Sequence, residues 1–235
     1  MAQLKEANEQ LKVHDKMQKE FINVAAHELR TPIQPILSLA DALRSDVTTT
    51  EGQEILDIVV RNAERLQRLA EDILDVTRIE SQSFLLNKEG FCLNELLSDT
   101  IGGIKNGIGD RIHDINLVFR PEVEKVFVKA DNSRIAQVIS NLINNALRFT
   151  RSGIVSIIME TKGGNIIVSV KDTGSGIDPA IVPRLFTKFA TKSITGTGLG
   201  LFISKSIIEA HGGKIWAENN LNENGATFTF SLPLV

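Results

Sequence analysis

The chain has 235 residues, 42% hydrophobic and 23% charged, which excludes a disordered or collagen-like polymer and leaves room for one large domain or two small ones. Twenty-six basic residues against 29 acidic ones give a net charge of -3, without the basic surplus of a nucleic-acid footprint. Aromatics at 5%, with no Tyr, leave little for a base-stacking platform, and the single cysteine, Cys92, has no partner for an internal disulfide, which fits a reducing cytoplasm.

The first segment, residues 1–80, is expected to be helical throughout. It is rich in Ala, Leu, Glu, Gln, Lys and Arg, and its start, MAQLKEANEQ, is polar with no apolar signal core. No run reaches the roughly 18 apolar residues that a membrane helix needs. Ile55, Val59, Asn62, Leu66, Leu69, Ile73 and Val76 step by 4, 3, 4, 3, 4, 3, a heptad seam. Asn62 within it reads either as a buried register-setting residue or as a partly exposed one. Leu4, Leu11, Met17, Phe21 and Val24 form a looser stripe, and SDVTTTEGQ at 45–53 breaks the two halves apart. The pattern predicts a long helical hairpin that hides both its faces only as a dimer, in a four-helix bundle.

From about residue 90 the texture changes, with a domain boundary near residues 81–90. Strands are expected at 116–119, 126–129, 154–160, 166–171, 214–218 and 226–232, with Lys162–Asn165 as a hairpin turn. Helices are expected at 93–102, 133–149 and 199–211. This is an α/β sandwich with helices on one sheet face, so the fold class is α+β, divided into domains 1–82 and 83–235.

Four motifs carry chemistry. In FINVAAHELRTP, residues 21–32, His27 stands beside Glu28, and Thr31 lies one turn on along the same helical face. An exposed imidazole next to a carboxylate is a workable nucleophile, and Pro32 and Pro35 predict a bend just beyond it. In NLINNALRFT, 141–150, Asn141 and Asn145 share a helix face; they suit either a Mg²⁺ ion that keeps its waters and bridges phosphates, or helix-end capping. Arg148 could reach a phosphate and Phe149 could pack on a base. In DTGSGID, 172–178, Asp172 at a strand end could accept from an exocyclic amine, while Gly174 and Gly176 let the chain turn and a ligand approach; taken in isolation, an ordinary glycine turn explains the string better. In GTGLGL, 196–201, backbone N–H groups at a helix start suit phosphate oxygens, although Leu201 stands at the third glycine position of a dinucleotide fingerprint.

Taken together and in order, these strings resemble the transmitter core of the sensor histidine kinases of two-component systems. HELRTP looks like the H box, 141–150 the N box led in by Asp131, Arg134 and Gln137, 172–176 the first glycine box, LFTKF at 185–189 the phenylalanine box, and 196–201 the second glycine box followed by HGG at 211–213. The resemblance implies a dimerisation and phosphoacceptor domain followed by a Bergerat-type, ATP-binding α/β sandwich. It implies that His27 is phosphorylated with Glu28 as general base, and that Thr31 orients water in a phosphatase reaction. It further implies that Asn145 with Asn141 binds Mg²⁺ and that Asp172, with Gly174, Gly176 and Ile177, receives adenine. Gly196, Thr197, Gly198, Leu199, Gly200 and Leu201 would cradle the triphosphate, with Arg148, Phe149 and Lys188 adding ligand contacts. His211 is assigned to the fold.

The implied partners are a second copy of the chain and a response regulator receiver domain, without nucleic acid. The implied location is cytoplasmic, as part of a longer sensor whose input domain is absent. Two rival readings are an ATPase of the gyrase and Hsp90 kind and a nucleotide-binding scaffold without phosphoryl transfer. The first is opposed by Asn141, which stands where those enzymes carry a water-activating Glu. Arg148 and Phe149 stand where Lys and Tyr are commoner in the family, and only 190–195 separates the phenylalanine box from the second glycine box, so the lid is short.

Overall fold

A computed structural model describes residues 29, 31, 33–44, 46–81, 83–108, 114–190, 197–221 and 223–234. The chain divides into two compact units, Met1–Phe84 and Leu85–Val235. His27, Glu28, Gly196, the 4–24 stripe and the expected bend after His27 lie outside the described residues.

The first unit is a helical hairpin. Helix α1 is described over 33–43 and runs through Pro35. Helix α2 spans Thr50–Glu80 and starts where Thr49 accepts a hydrogen bond from the Gly52 N–H, an N-cap that shortens the expected 45–53 loop. Arg44 pairs with Asp57 at 3.3 Å across the turn. The buried positions on α2 are Val60, Ala63, Ala70, Leu74, Asp75 and Thr77, and on α1 Ile33 and Ala40. These are not the seam. Ile55, Val59 and Leu66 of the seam remain 56%, 41% and 49% exposed, so α2 carries a second apolar stripe beside the one that closes the hairpin. Asn62 is exposed, and its Nδ2 donates to the Ile58 carbonyl of its own helix at 2.8 Å.

The second unit is the α/β sandwich. β1 (Glu89–Cys92) leads into α3 (Leu93–Ile108), then β2 (Ile115–Pro121), β3 (Phe127–Ala130), α4 (Asn132–Phe149), β4 (Gly153–Lys162) and β5 (Asn165–Asp172). A short 3-10 turn (Val182–Arg184), α5 (Gly200–Ala210), β6 (Lys214–Asn219) and β7 (Ala226–Pro233) complete it. The main sheet has the order β2-β4-β5-β7-β6, parallel only at β2–β4, and β1 pairs antiparallel with β3 apart from it. β1 has no counterpart among the expected strands, because its four residues show no alternation of burial. α3 runs six residues past its expected end, through Gly102 and Gly103.

Strands β4 and β5 alternate strictly. Val155, Ile157 and Met159 of β4 and Ile166, Val168 and Val170 of β5 point into the core, each fully buried, with Ile157 opposite Val170 and Met159 opposite Val168. Gly163 and Gly164 turn between them with φ of 58° and 76°, the left-handed pair that a two-residue hairpin needs. On α4, Ile135, Val138, Ile139, Leu142, Ile143 and Ala146 form the buried stripe that lies on this sheet, and α5 packs beside it.

One polar node holds the helix ends distant from the motifs. Asp131 caps α4 by accepting from Arg134 N and Ser133 Oγ, and its other oxygen accepts from Asn87 N at 2.8 Å. Burial would raise its pKa, but these hydrogen bonds and the Arg134 charge outweigh burial and lower it. The Asp131 N–H donates to His211 Nε2 at 2.9 Å, so His211 carries its proton on Nδ1 and donates it to the Ile207 carbonyl at 2.8 Å. Burial pushes the His211 pKa below its ordinary 6.5, aided by the Lys88 charge and opposed by the Ile207 bond and Asp131. A neutral buried imidazole stabilises the fold above the unfolded pKa and ceases to do so as pH falls through the folded one. The thermal midpoint of this unit is therefore expected to fall as pH drops below about 6.5. In His211→Gln the same scan should be flatter from a lower starting midpoint, as read by calorimetry.

Candidate functional site

The site is built at the opposite ends of these elements. β5 ends at Asp172, which is 2% exposed. Its Oδ1 accepts from Gly174 N at 2.8 Å and Ala226 N at 3.3 Å. Oδ2 takes no hydrogen bond among the described residues and is not sealed from solvent, which leaves it as the atom for a ligand. Burial raises the pKa of this carboxyl above the usual range, against the two backbone N–H groups that favour its charged form.

The glycines nearby are required by protein atoms as much as by any ligand. A Cβ on Gly174 would collide with the Phe149 carbonyl oxygen, and Ser175 N donates to that same oxygen at 3.3 Å. The end of α4 and the first glycine string thus meet, with Phe149 47% exposed and the Arg148 guanidinium 5.7 Å from its ring centroid. Gly176 has φ +73°, and its open side is filled by Asn219 Oδ1. Ile177, half-buried, is bonded through its backbone to the Asn219 amide.

A second corner joins α4 to α5. Asn141 Nδ2 donates to Ser204 Oγ at 3.0 Å, and a Cβ on Gly200 would come within 2.6 Å of the Asn141 amide. Gly200 is what lets the start of α5 close on Asn141. Asn145, one turn on and half-buried, makes no hydrogen bond among the described residues. Thr197 Oγ1 accepts from Leu199 N at 3.2 Å, Leu199 is 2% exposed, and Leu201 is half-buried in the first turn of α5. Gly198 turns with φ +70° against the backbone of Phe189, itself at φ +59° and 71% exposed. Lys188 places Nζ 5.3 Å from the Phe202 ring centroid.

The fold therefore brings the 141–150 string against both glycine strings and the 185–189 string against the second. Thr31 lies in the other unit, helical and exposed. Asn219, Asn220, Ser204 and Gly225 are site-building residues that motif reading missed. The one available signal was the Asn-rich turn NNLNENG at 219–225, directly after a strand. Among the described residues no cluster of three His, Cys, Asp or Glu side chains could hold a metal. Any cation here would lean on amide oxygens, water and its ligand's oxygens.

A family model for the His Kinase A (phospho-acceptor) domain matches residues 17–82, and one for the histidine kinase-, DNA gyrase B- and HSP90-like ATPase matches 130–235. The solved catalytic domain of the histidine kinase ThkA is 38% identical, with a TM-score of 0.58, over 63% of this chain and 96% of that one. The chain belongs to the sensor histidine kinases. The histidine kinase AdeS of Acinetobacter baumannii is 28% identical with a TM-score of 0.63, over 88% of this chain and 98% of that one. Full-length ShkA, solved in complex with AMPPNP, is 27% identical with a TM-score of 0.73, over 92% of this chain and 46% of that one. The sensor protein SrrB of Staphylococcus aureus is 35% identical over 93% of this chain, and the chain spans 38% of its length. No helix among the described residues is long and apolar enough to cross a membrane.

The kinase's glycines divide by what surrounds them. Gly174→Ala is expected to lose about 1–3 kcal/mol in a denaturant melt, because its Cβ meets backbone that cannot step aside. Gly103→Ala, on an open face of α3, is expected to gain about 0.5–1 kcal/mol from helix propensity.

Proposed function

We propose that this chain is the ATP-dependent core of a two-component sensor kinase, which phosphorylates its own His27 and passes the phosphoryl group to an aspartate of a response regulator. The observation that carries the nucleotide part is the buried Asp172 carboxylate, with one oxygen tied to backbone and the other left open at the mouth of a glycine loop. An acceptor set so at a strand end suits the exocyclic amine of adenine. The AMPPNP held by ShkA and the ATPase family match support ATP as the substrate.

Phe149, half exposed at the end of α4, would pack on the base, and Arg148 and Lys188 would add contacts to the phosphates. The second glycine string, 196–201, would receive the triphosphate with its backbone N–H groups. Asn145, unengaged and half-buried, fits a Mg²⁺ ion that keeps most of its waters; Asn141 retains Oδ1 for the same ion while its Nδ2 holds Ser204. Such an ion neutralises charge on the phosphates when bound.

In the transfer step, an imidazole nitrogen of His27 bonds to the γ-phosphorus. The bond from phosphorus to the bridging oxygen breaks, ADP leaves, and Glu28 takes the ring proton. The transition state is loose, so positioning and electrostatics supply most of the rate. Thr31 would orient water when the reaction with the regulator runs as a phosphatase. The outer face of α1 is the natural docking surface for the regulator, and we place the chain in the cytoplasm.

The exposed stripe on α2 supports dimerisation. Ile55, Val59 and Leu66 lie one helix face away from the positions that close the hairpin, so a second copy would complete a four-helix bundle. A Val59→Lys/Leu66→Lys chain is expected to sediment as a monomer where the parent sediments as a dimer.

Incubation with γ-labelled ATP and Mg²⁺ tests the chemistry. Acid-labile, base-stable label is expected on the parent and on neither His27→Gln nor Asn145→Ala; label on His27→Gln would displace the acceptor. Asp172→Asn keeps the Oδ1 acceptor while removing a buried charge. Burial raises the folded pKa of Asp172 above its ordinary value, so its ionisation costs stability as pH rises from the unfolded pKa through the folded one. The variant is expected to melt no lower than the parent at pH 7 while losing ATP affinity by about 100-fold, the scale of a charge-assisted bond.

A further inference from the structure

We infer that Asn219 and Asn220, at the end of β6 and in the turn that follows, are positioning residues for the nucleotide. Their side-chain amides clasp the first glycine loop and the end of β5 to the end of β6 and the turn after it. The inference rests on the reading of Asp172 as the base acceptor, and it extends that site to residues outside every motif of the sequence.

The clasp is made of paired bonds. Asn219 Oδ1 accepts from Ile177 N at 2.6 Å, while Asn219 Nδ2 donates to Ile177 O at 2.9 Å. One planar amide thus satisfies both backbone groups of a residue that lies beyond the end of β5 and has no ladder partner there. Asn220 Nδ2 donates to Asp172 O at 2.8 Å and to Asn224 O at 3.1 Å, and its Oδ1 accepts from Thr227 Oγ1 at 2.7 Å. Asn220 N also donates to Gly225 O at 3.0 Å, closing the turn.

Both glycines of this corner are explained by these contacts. Gly176, at φ +73°, would bring a Cβ within 2.9 Å of Asn219 Oδ1. Gly225, at φ +103°, presses so closely on the Asp172 carbonyl that no Cβ fits. A loop that carries Gly174 and Gly176 is entropically costly to hold still. The two amides hold it at both ends, which keeps the open Asp172 Oδ2 at a set distance from the backbone of 174–177. An aspartate at 219 would keep the Ile177 N–H bond but turn an oxygen toward the Ile177 carbonyl. No apolar side chain could make either bond.

The test compares the parent chain with Asn219→Ala, Asn219→Asp and Asn220→Ala. ATP affinity is measured by calorimetry, the thermal midpoint without nucleotide, and amide hydrogen exchange at Ile177. Each variant is expected to bind ATP roughly tenfold more weakly, as the loss of one or two hydrogen bonds predicts. Exchange at Ile177 should quicken in both Asn219 variants, and the midpoint should move by less than about 4 °C. Unchanged affinity in both Asn219 variants would overturn the clasp. A fall in affinity matched by a collapse of the midpoint would overturn it as well, since the amides would then serve the fold alone. Asp172→Asn is measured alongside. If it binds ATP as tightly as the parent, the base-acceptor reading fails, whereas an affinity lost only in Asp172→Asn leaves that reading standing and sinks the clasp.

Discussion

A carboxylate that is 2% exposed is unfavourable unless something answers its charge, and at Asp172 two backbone N–H groups do so through a single oxygen. This sharing dictates much around it. Gly174 follows at a distance only glycine allows, because the Phe149 carbonyl occupies the space a side chain would need. Ala226 begins β7, so the strand that neighbours β5 starts where it can donate to Asp172. The turn before it folds back through Gly225 onto the Asp172 carbonyl. Burial raises the pKa, the N–H groups oppose the rise, and the other oxygen stays available. The site keeps a group that weakens the fold at neutral pH, a tension expected where binding rather than stability has set the residue.

The opposite end of the same helices is organised by a different polar pair, and the comparison is instructive. Asp131 is fully engaged: both carboxylate oxygens accept, and its N–H donates to a histidine whose tautomer is set by that bond. Nothing there is open to a ligand. α4 and α5 are therefore pinned at one end by Asp131 and His211 and meet at the other through Asn141, Gly200 and Ser204. His211, assigned to the fold from the sequence, has both ring nitrogens engaged by backbone.

In the helical unit the heptad period alone did not say which neighbour each face would have. The positions 60, 63, 70, 74, 75 and 77 are buried within one chain, while Ile55, Val59 and Leu66 of the seam stay exposed. A helix with two adjacent stripes is wider in its apolar face than a simple hairpin requires, which is the physical basis for assigning the second stripe to another copy.

The sequence by itself determined the period-two strands, the capped helices, the Gly-Gly hairpin and the order of the motif strings, because these rest on local spacing and backbone preference. The left-handed turn at Gly163–Gly164 and the Asp131 cap are written in adjacent residues. β1 was not legible, since four residues held only by pairing with β3 leave no alternation to read. Nor was the meaning of the glycines: Gly174, Gly176 and Gly200 each face an atom from a residue between 25 and 59 positions away in the chain. The clasp by Asn219 and Asn220 spans 42 and 48 positions. Contacts between segments so distant depend on the sheet order β2-β4-β5-β7-β6, which places the end of β5 beside the start of β7, and only the tertiary structure decides that.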